Sequence, residues 1–243
     1  MEVIKEMNKF MDTGIKTMLL FNNVMFVGDT KGYLKAIDCD TYEVVKDFGK
    51  FMNNMIKAIH VFEDRIFIGD SKGYLLCIDA YTYSLVFNFG QLFANLIRQM
   101  KTHADNIFIG DSKGFLKAVN GKTLKTTKDF GQIMHSKITQ IMIIDENMFI
   151  GDSNGVMKCI NCKNFIIKNF GKYMSASIEF IGMFEDNIYV IDEKGWLKCF
   201  NLYGFCSEAS NISILKCFIP KTDNIYNINP LYEVNELTFS LFH

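Results

Sequence analysis

Short apolar runs alternate with clusters of turn residues along the chain, and no window of about eleven residues or more carries the 3.6-residue stripe of an amphipathic helix. Every predicted element is a strand. In the clearest stretch, Lys57 to Phe62 reads as a first strand, Glu63-Asp64 as a tight turn and Arg65 to Gly69 as a second strand. Tyr74 to Asp79 follows as a third strand and Leu85 to Phe89 as a fourth. Between the second and third, Asp70-Ser71-Lys72-Gly73 reverses the chain. An Asp opening such a turn accepts backbone N–H bonds, and the closing Gly takes a positive φ that residues with side chains resist.

This unit recurs. "IFIGDSKGYLLCID" at Ile66 to Asp79 returns as "IFIGDSKGFLKAVN" at Ile107 to Asn120, and the turn glycines stand at Gly32, Gly73, Gly114, Gly155 and Gly195, a period of 41 or 40 residues. Phe-Gly pairs at Phe48-Gly49, Phe89-Gly90, Phe130-Gly131 and Phe170-Gly171 keep the same beat, as do the turn acids Asp29, Asp70, Asp111 and Asp152. A period in the low forties filled with strands predicts an all-β β-propeller of four-stranded antiparallel blades. Second strands near residues 24, 66, 107, 148, 188 and 225 make six blades. "EVIKEMNKFM" at Glu2 to Met11 matches "EVVKDFGKFM" at Glu43 to Met52, so the N-terminal strand is expected to close the last blade and leave no long unpaired edge. Residues 1–243 then form one propeller domain, with residues 206–243 as a degenerate last blade that lacks its turn glycine and carries Pro220 and Pro230. Seven blades, or an arc completed by another chain, remain open alternatives.

The period also assigns packing roles. The position after the turn glycine holds Tyr33, Tyr74, Phe115, Val156 and Trp196, read as packing between blades. Three residues beyond the glycine stand Lys35, Leu76, Lys117, Lys158 and Lys198, read as the solvated side of an alternating strand. The apolar pairs Phe10-Met11, Phe51-Met52, Leu92-Phe93, Ile133-Met134 and Tyr173-Met174, between one repeat and the next, read as core.

Composition narrows the function classes. A net charge of −1 and 49% apolar residues give no reason to expect nucleic acid or a membrane as partner. No signal-type segment opens the chain, and the expected location is cytoplasmic. The seven cysteines follow no disulfide framework. Cys159 and Cys162 form a CxxC, but Cys159 occupies a repeat position shared with Ala36, Cys77, Ala118 and Cys199, so a buried small side chain explains it and no metal or cofactor is expected.

The phrases "KDFGK", "IKAI" and "RIFIGDSKGYLLCID" resemble a WD-repeat protein over residues 2 to about 205, and "GYLKAIDCDT" also resembles blades of the quinoprotein-like type. Departures from the WD-repeat pattern are clear. Lys31, Lys72 and Lys113 stand where an Asp precedes the turn glycine, Ile37, Ile78 and Val119 replace the Trp, and the loop histidine survives at most as His135. The resemblance implies a scaffold that presents proteins or peptides to one another.

From the residues, the expectation is a non-enzymatic protein–protein interaction scaffold with a protein or acidic peptide as partner. Near-identical repeats leave few unique polar positions for chemistry, and no nucleophile elbow, phosphate loop or zinc-protease motif occurs. One asymmetry suits recognition. At the start of the first strands stand Lys16, Lys57 and Arg98, followed at the equivalent places by Thr139 and Glu179. These three cations are the candidate partner-binding residues. The alternatives are a fixed structural subunit of a larger complex and a six-bladed enzyme or small-ligand binder using the central channel.

Overall fold

A computed structural model describes residues 9–201 and, as backbone strands, residues 215–217 and 238–239. Each repeat makes four antiparallel strands joined in sequence. The first has β1 (Ile15–Phe21), β2 (Val24–Asp29), β3 (Tyr33–Asp38) and β4 (Val44–Lys50); the second has β5 (Ile56–Phe62), β6 (Arg65–Asp70), β7 (Tyr74–Asp79) and β8 (Leu85–Gln91). The third has β9 (Ile97–His103), β10 (Asn106–Asp111), β11 (Phe115–Asn120) and β12 (Thr126–Gln132). The fourth has β13 (Ile138–Ile144), β14 (Asn147–Asp152), β15 (Val156–Asn161) and β16 (Ile167–Lys172). The fifth has β17 (Ile178–Phe184), β18 (Asn187–Asp192), β19 (Leu197–Asn201) and β20 (Leu215–Cys217). A short β21 (Thr238–Phe239) adds to the free side of β1, with Met18 opposite Phe239.

The expected closed six-bladed propeller is therefore corrected. The described residues form five separate antiparallel sheets, none closed on itself, and no sixth sheet. The region expected to be a last blade is divided instead: 215–217 completes the fifth sheet and 238–239 extends the first. Of the N-terminal segment expected to close a ring, residues 1–8 lie outside the described residues, and residues 9–11 carry no strand. The physical reason is that the period encodes one sheet at a time. Turn and strand chemistry is local and repeats faithfully, whereas closure depends on the chain ends, where the repeat marks fade. What stands is an all-β repeat protein.

The turn chemistry works as its residues require. The Lys72 and Tyr74 N–H groups donate to Asp70 Oδ1 at 2.8 and 2.9 Å, and Asp29, Asp111, Asp152 and Asp192 accept the same pair of bonds in their own turns. All five carboxylates are buried. The second oxygen of Asp70 accepts from Asn54 Nδ2 at 2.9 Å, and that of Asp192 from Ser175 Oγ at 2.8 Å, so the acid also fastens the loop that enters its sheet. Gly114 has φ +88, and a Cβ there would lie 2.1 Å from the Met134 carbonyl oxygen. Glycine is the residue that satisfies both demands.

The chain divides into two compact units, one running to Arg98 and including β21, the other running from Gln99 and including β20. In the first, a core of Leu19, Phe26, Leu34, Ile56, Ile66 and Ile78 joins the first two sheets, and Ile56 of β5 sits on Gly28 of β2. Tyr83, in the β7–β8 turn at φ +59, sets its ring edge-on to Phe26 and Phe48 of the preceding sheet at 6.1 and 5.9 Å. In the second unit Phe108, Leu116, Met134, Ile138 and Ile150 form a matching core, and a Cβ on Gly110 would stand 2.9 Å from Ile138 Cδ1. Phe165, at φ +62, packs edge-on to Phe130 at 5.4 Å. The apolar pairs between repeats are core in part: Met11, Met52, Phe93 and both members of Ile133-Met134 and Tyr173-Met174 are buried, whereas Phe10, Phe51 and Leu92 are half-buried.

Candidate protein-binding surface

In four of the sheets the register of the first strand slips by one residue at its start, between Ile15 and Thr17, Ile56 and Ala58, Ile138 and Gln140, and Ile178 and Phe180. The extra residues at these bulges are Lys16, Lys57, Thr139 and Glu179, and Arg98 holds the equivalent place on β9. A bulge takes its residue out of the ladder and re-aims the side chain. The sequence cations thus mark a recurrent backbone irregularity.

Lys16, Lys57 and Arg98 all lie in the first unit and are all half-buried. β1 packs directly on β5, which brings the strands of Lys16 and Lys57 together. Ile97, next to Arg98, packs on Gly69 of β6, where a Cβ would come within 2.9 Å of Ile97 Cγ2. The second unit treats the position differently. Thr139 is buried and its hydroxyl donates to the Gly151 carbonyl at 3.2 Å. Gln99 Nε2 donates to the Thr139 carbonyl at 2.9 Å and Gln140 Nε2 to that of Glu179 at 2.6 Å, tying successive first strands to one another. The sequence reading missed these glutamines. The signal was present, because Gln99 and Gln140 stand one period apart directly after the bulge.

Two assignments change. The aromatic residues after the turn glycine are not all interior: Tyr33, Tyr74 and Trp196 are 40%, 41% and 47% exposed. With Lys31, Lys72 and Lys194, also exposed, three turns display an ammonium and a ring. Conversely, the lysines three residues beyond the glycine are only half exposed to solvent. Lys35 and Lys117 pair with Asp47 and Asp129 at 3.3 and 3.1 Å. Lys158 and Lys198 donate to the carbonyls of Ile133 and Tyr173, the latter ammonium also lying 4.7 Å from the Tyr173 ring centre. Alternation placed them on the outer side of β3, β11, β15 and β19, where Lys35 and Lys117 reach a carboxylate of the next strand and Lys158 and Lys198 a carbonyl of the preceding loop.

Between the β2–β3 turn, the end of β4 and the loop entering β5 lies an open cleft of about 430 Å³ in the first unit, lined by Lys31, Tyr33, Lys50, Asn53, Met55 and Ser71 among others.

Three of the thiols are closed off by burial. Cys77, Cys159 and Cys162 are buried, and burial pushes Cys77 up to about 12 and Cys162 up to about 11. A thiol is nucleophilic as its thiolate, which these environments suppress. Of the four histidines, His60 is buried in β5, His103 is half-buried, His135 is exposed and His243 lies outside the described residues. Among the described residues no group of three or more His, Cys, Asp or Glu side chains is gathered as metal ligands would be. No helix there is long and apolar enough to cross a membrane.

No protein-family model matches the chain, and no curated protein does. Among solved structures it is similar to the computationally designed Ika8 protein, with a TM-score of 0.57 and 14% identity over 76% of this chain and 70% of that one. It is also similar to the computationally designed Ika4 protein, with a TM-score of 0.56 and 14% identity over 62% of this chain and 93% of that one. At such identity the likeness concerns the fold, and both relatives are designs.

Proposed function

We propose that this protein is a non-enzymatic protein-binding module whose first unit engages an acidic peptide through Lys16, Lys57 and Arg98. The observation that carries the reading is one position, repeated at the start of successive first strands and bulged in β1, β5, β13 and β17, which holds a cation three times in the first unit and then Thr139 and Glu179 in the second. A difference confined to one repeated position, on an otherwise conserved backbone, is how a repeat scaffold becomes selective. Charge complementarity sets partner choice and association rate more than it sets affinity, so the contact should weaken as salt rises. The test is binding of a fluorescent peptide rich in Asp and Glu to the protein and to the triple variant Lys16→Glu, Lys57→Glu, Arg98→Glu. The expected result is binding that falls with salt and is lost in the variant. Binding unchanged in a variant of native circular dichroism would overturn the reading.

A second reading, a fixed subunit of a larger complex, has its own support. On β17, Phe180 and Phe184, which share one face of the strand, are 50% and 60% exposed, an apolar pair of the kind that marks interaction surfaces. A contact of that kind resists salt. Affinity recovery from cell extract at low and high salt separates the two, since an acidic peptide partner is released and a subunit is retained.

A further inference from the structure

The open cleft in the first unit has a composition that the peptide reading does not use. Two exposed ammonium groups line it, Lys31 from the β2–β3 turn and Lys50 from the end of β4. The Asn53 amide and the Ser71 hydroxyl add neutral donors, while Tyr33 and Met55 supply apolar wall, and no carboxylate is part of the lining. The acids nearest in the chain are engaged elsewhere. Asp29 and Asp70 are buried and accept the backbone N–H groups of their own turns, and Asp47 pairs with Lys35 and accepts from the Gly49 N–H. The volume of about 430 Å³ falls in the range of small-ligand sites and leaves room for an organic body beyond a single anionic group.

The repeats supply an internal comparison. At the position of Lys50 the next two copies carry Gln91 and Gln132, and each folds back so that its Nε2 donates to the turn carbonyl, of Lys72 at 3.0 Å and of Lys113 at 2.9 Å. Ala94 replaces Asn53 in the second copy. The first copy thus carries an exposed charge, as the fourth does with Lys172, at a place where the second and third carry a folded-back amide.

We propose that this cleft binds a phosphate monoester of small-molecule size. Two ammonium groups match the dianion, lysine binds phosphate as a compact point charge, and charge-assisted hydrogen bonds to phosphate oxygens are stronger than neutral ones. The ester's organic part lies against Tyr33 and Met55. The experiment is a titration of the isotopically labelled full chain with glycerol 2-phosphate, followed by the backbone amide signals of Lys31, Tyr33 and Asn53. Glycerol and sulfate at matched ionic strength serve as controls, and a phosphoserine-containing peptide is a separate arm.

Saturable shifts at these amides are expected with glycerol 2-phosphate and not with glycerol. Lys31→Ala and Lys50→Ala should each weaken binding by about fivefold, the scale of a solvent-exposed ion pair, and the double variant should abolish it. Lys50→Arg should retain it, and Lys72→Ala, one repeat on, should leave it unchanged. Absence of saturable shifts, equal response to sulfate, or binding that survives in the double variant overturns the proposal. So does a peptide arm more than about tenfold tighter than the small ester, which would assign the phosphate to a protein. The variants change exposed side chains, and the dispersion of their amide spectra tests directly whether they fold.

Discussion

At the scale of single residues the repeat turns are held by two demands on one glycine, and the fifth turn separates them. Gly114 and Gly195 both have positive φ, +88 and +82, but a Cβ on Gly114 meets the Met134 carbonyl at 2.1 Å whereas a Cβ on Gly195 meets nothing within 4 Å among the described residues. Gly195→Ala should therefore cost about 1 kcal/mol, the backbone term alone, while Gly114→Ala should cost more than about 3 kcal/mol because the loop must also move. Chemical denaturation of the two variants checks this, and equal losses would show that loop contact contributes little. The positive φ was legible in the Asp-x-x-Gly pattern; the second demand was not, since the Met134 carbonyl reaches Gly114 only across the turn and β12. Acid sensitivity belongs to this scale as well. Backbone N–H bonds from Thr41 and Thr82 hold Asp38 and Asp79 below the usual carboxylate range, and the Gly49 and Gly131 N–H groups, with Lys35 and Lys117 beside them, do the same for Asp47 and Asp129. Carboxyls depressed in the folded state contribute stability that is complete above their unfolded values and lost as pH falls through the folded ones. Thermal midpoints should accordingly stay flat down to about pH 5 and then fall through the acid range. Asp38→Asn with Asp79→Asn should make that fall shallower.

Between elements, the contacts that join one sheet to the next are where sequence reading did least well. Strands and turns answer to neighbours a few residues away, and β7 was read from Tyr74 to Asp79 as it stands. The Phe-Gly marks were seen without their cause, which is a bulge: the Gly90 N–H donates to Asn88 Oδ1 at 2.8 Å and the β7–β8 register shifts there. Tyr83 was not singled out at all, because a large side chain at positive φ violates local preference and is explained only by what it reaches. Its ring fastens the second sheet to Phe26 and Phe48 of the first. The local and long-range terms oppose one another, and substitution can separate them. Tyr83→Ala loses the rings and keeps the strain, whereas Tyr83→Gly loses the rings and relieves it. Glycine should therefore be the milder change, by about 1 kcal/mol, against a loss of about 2 kcal/mol for alanine from a half-buried aromatic. The same inversion of the usual Ala-over-Gly order is expected at Phe165, which stands at φ +62 against Phe130. Melting curves of the two pairs of variants would show it, and the ordinary order at both sites would mean that the strain is not there.

For the whole molecule, a 41-residue period says how each sheet is made and leaves open how the series of sheets ends, which is why the expected ring did not survive. Repeat proteins gain stability from each repeat and its neighbours, so a repeat whose core marks weaken should open first. The fifth sheet is that repeat. In β6, β10 and β14 the five residues after the first are all buried, whereas buried and half-buried residues alternate along β18 and only one residue of β19 is buried. The phenylalanine buried at Phe67, Phe108 and Phe149 becomes the half-buried Tyr189. Amide hydrogen exchange measures local opening directly, and amides with few buried neighbours exchange through openings that cost less than global unfolding. Amides of Asn187–Asp192 should exchange at least about tenfold faster than those of Asn147–Asp152, although both are second strands with the same hydrogen-bond ladder. Equal protection would mean that the two sheets open in one step and that burial within a sheet does not set its stability. Faster exchange confined to β18 and β19 would instead show cooperativity ending at the fourth sheet, beyond which the repeat first loses its regular core.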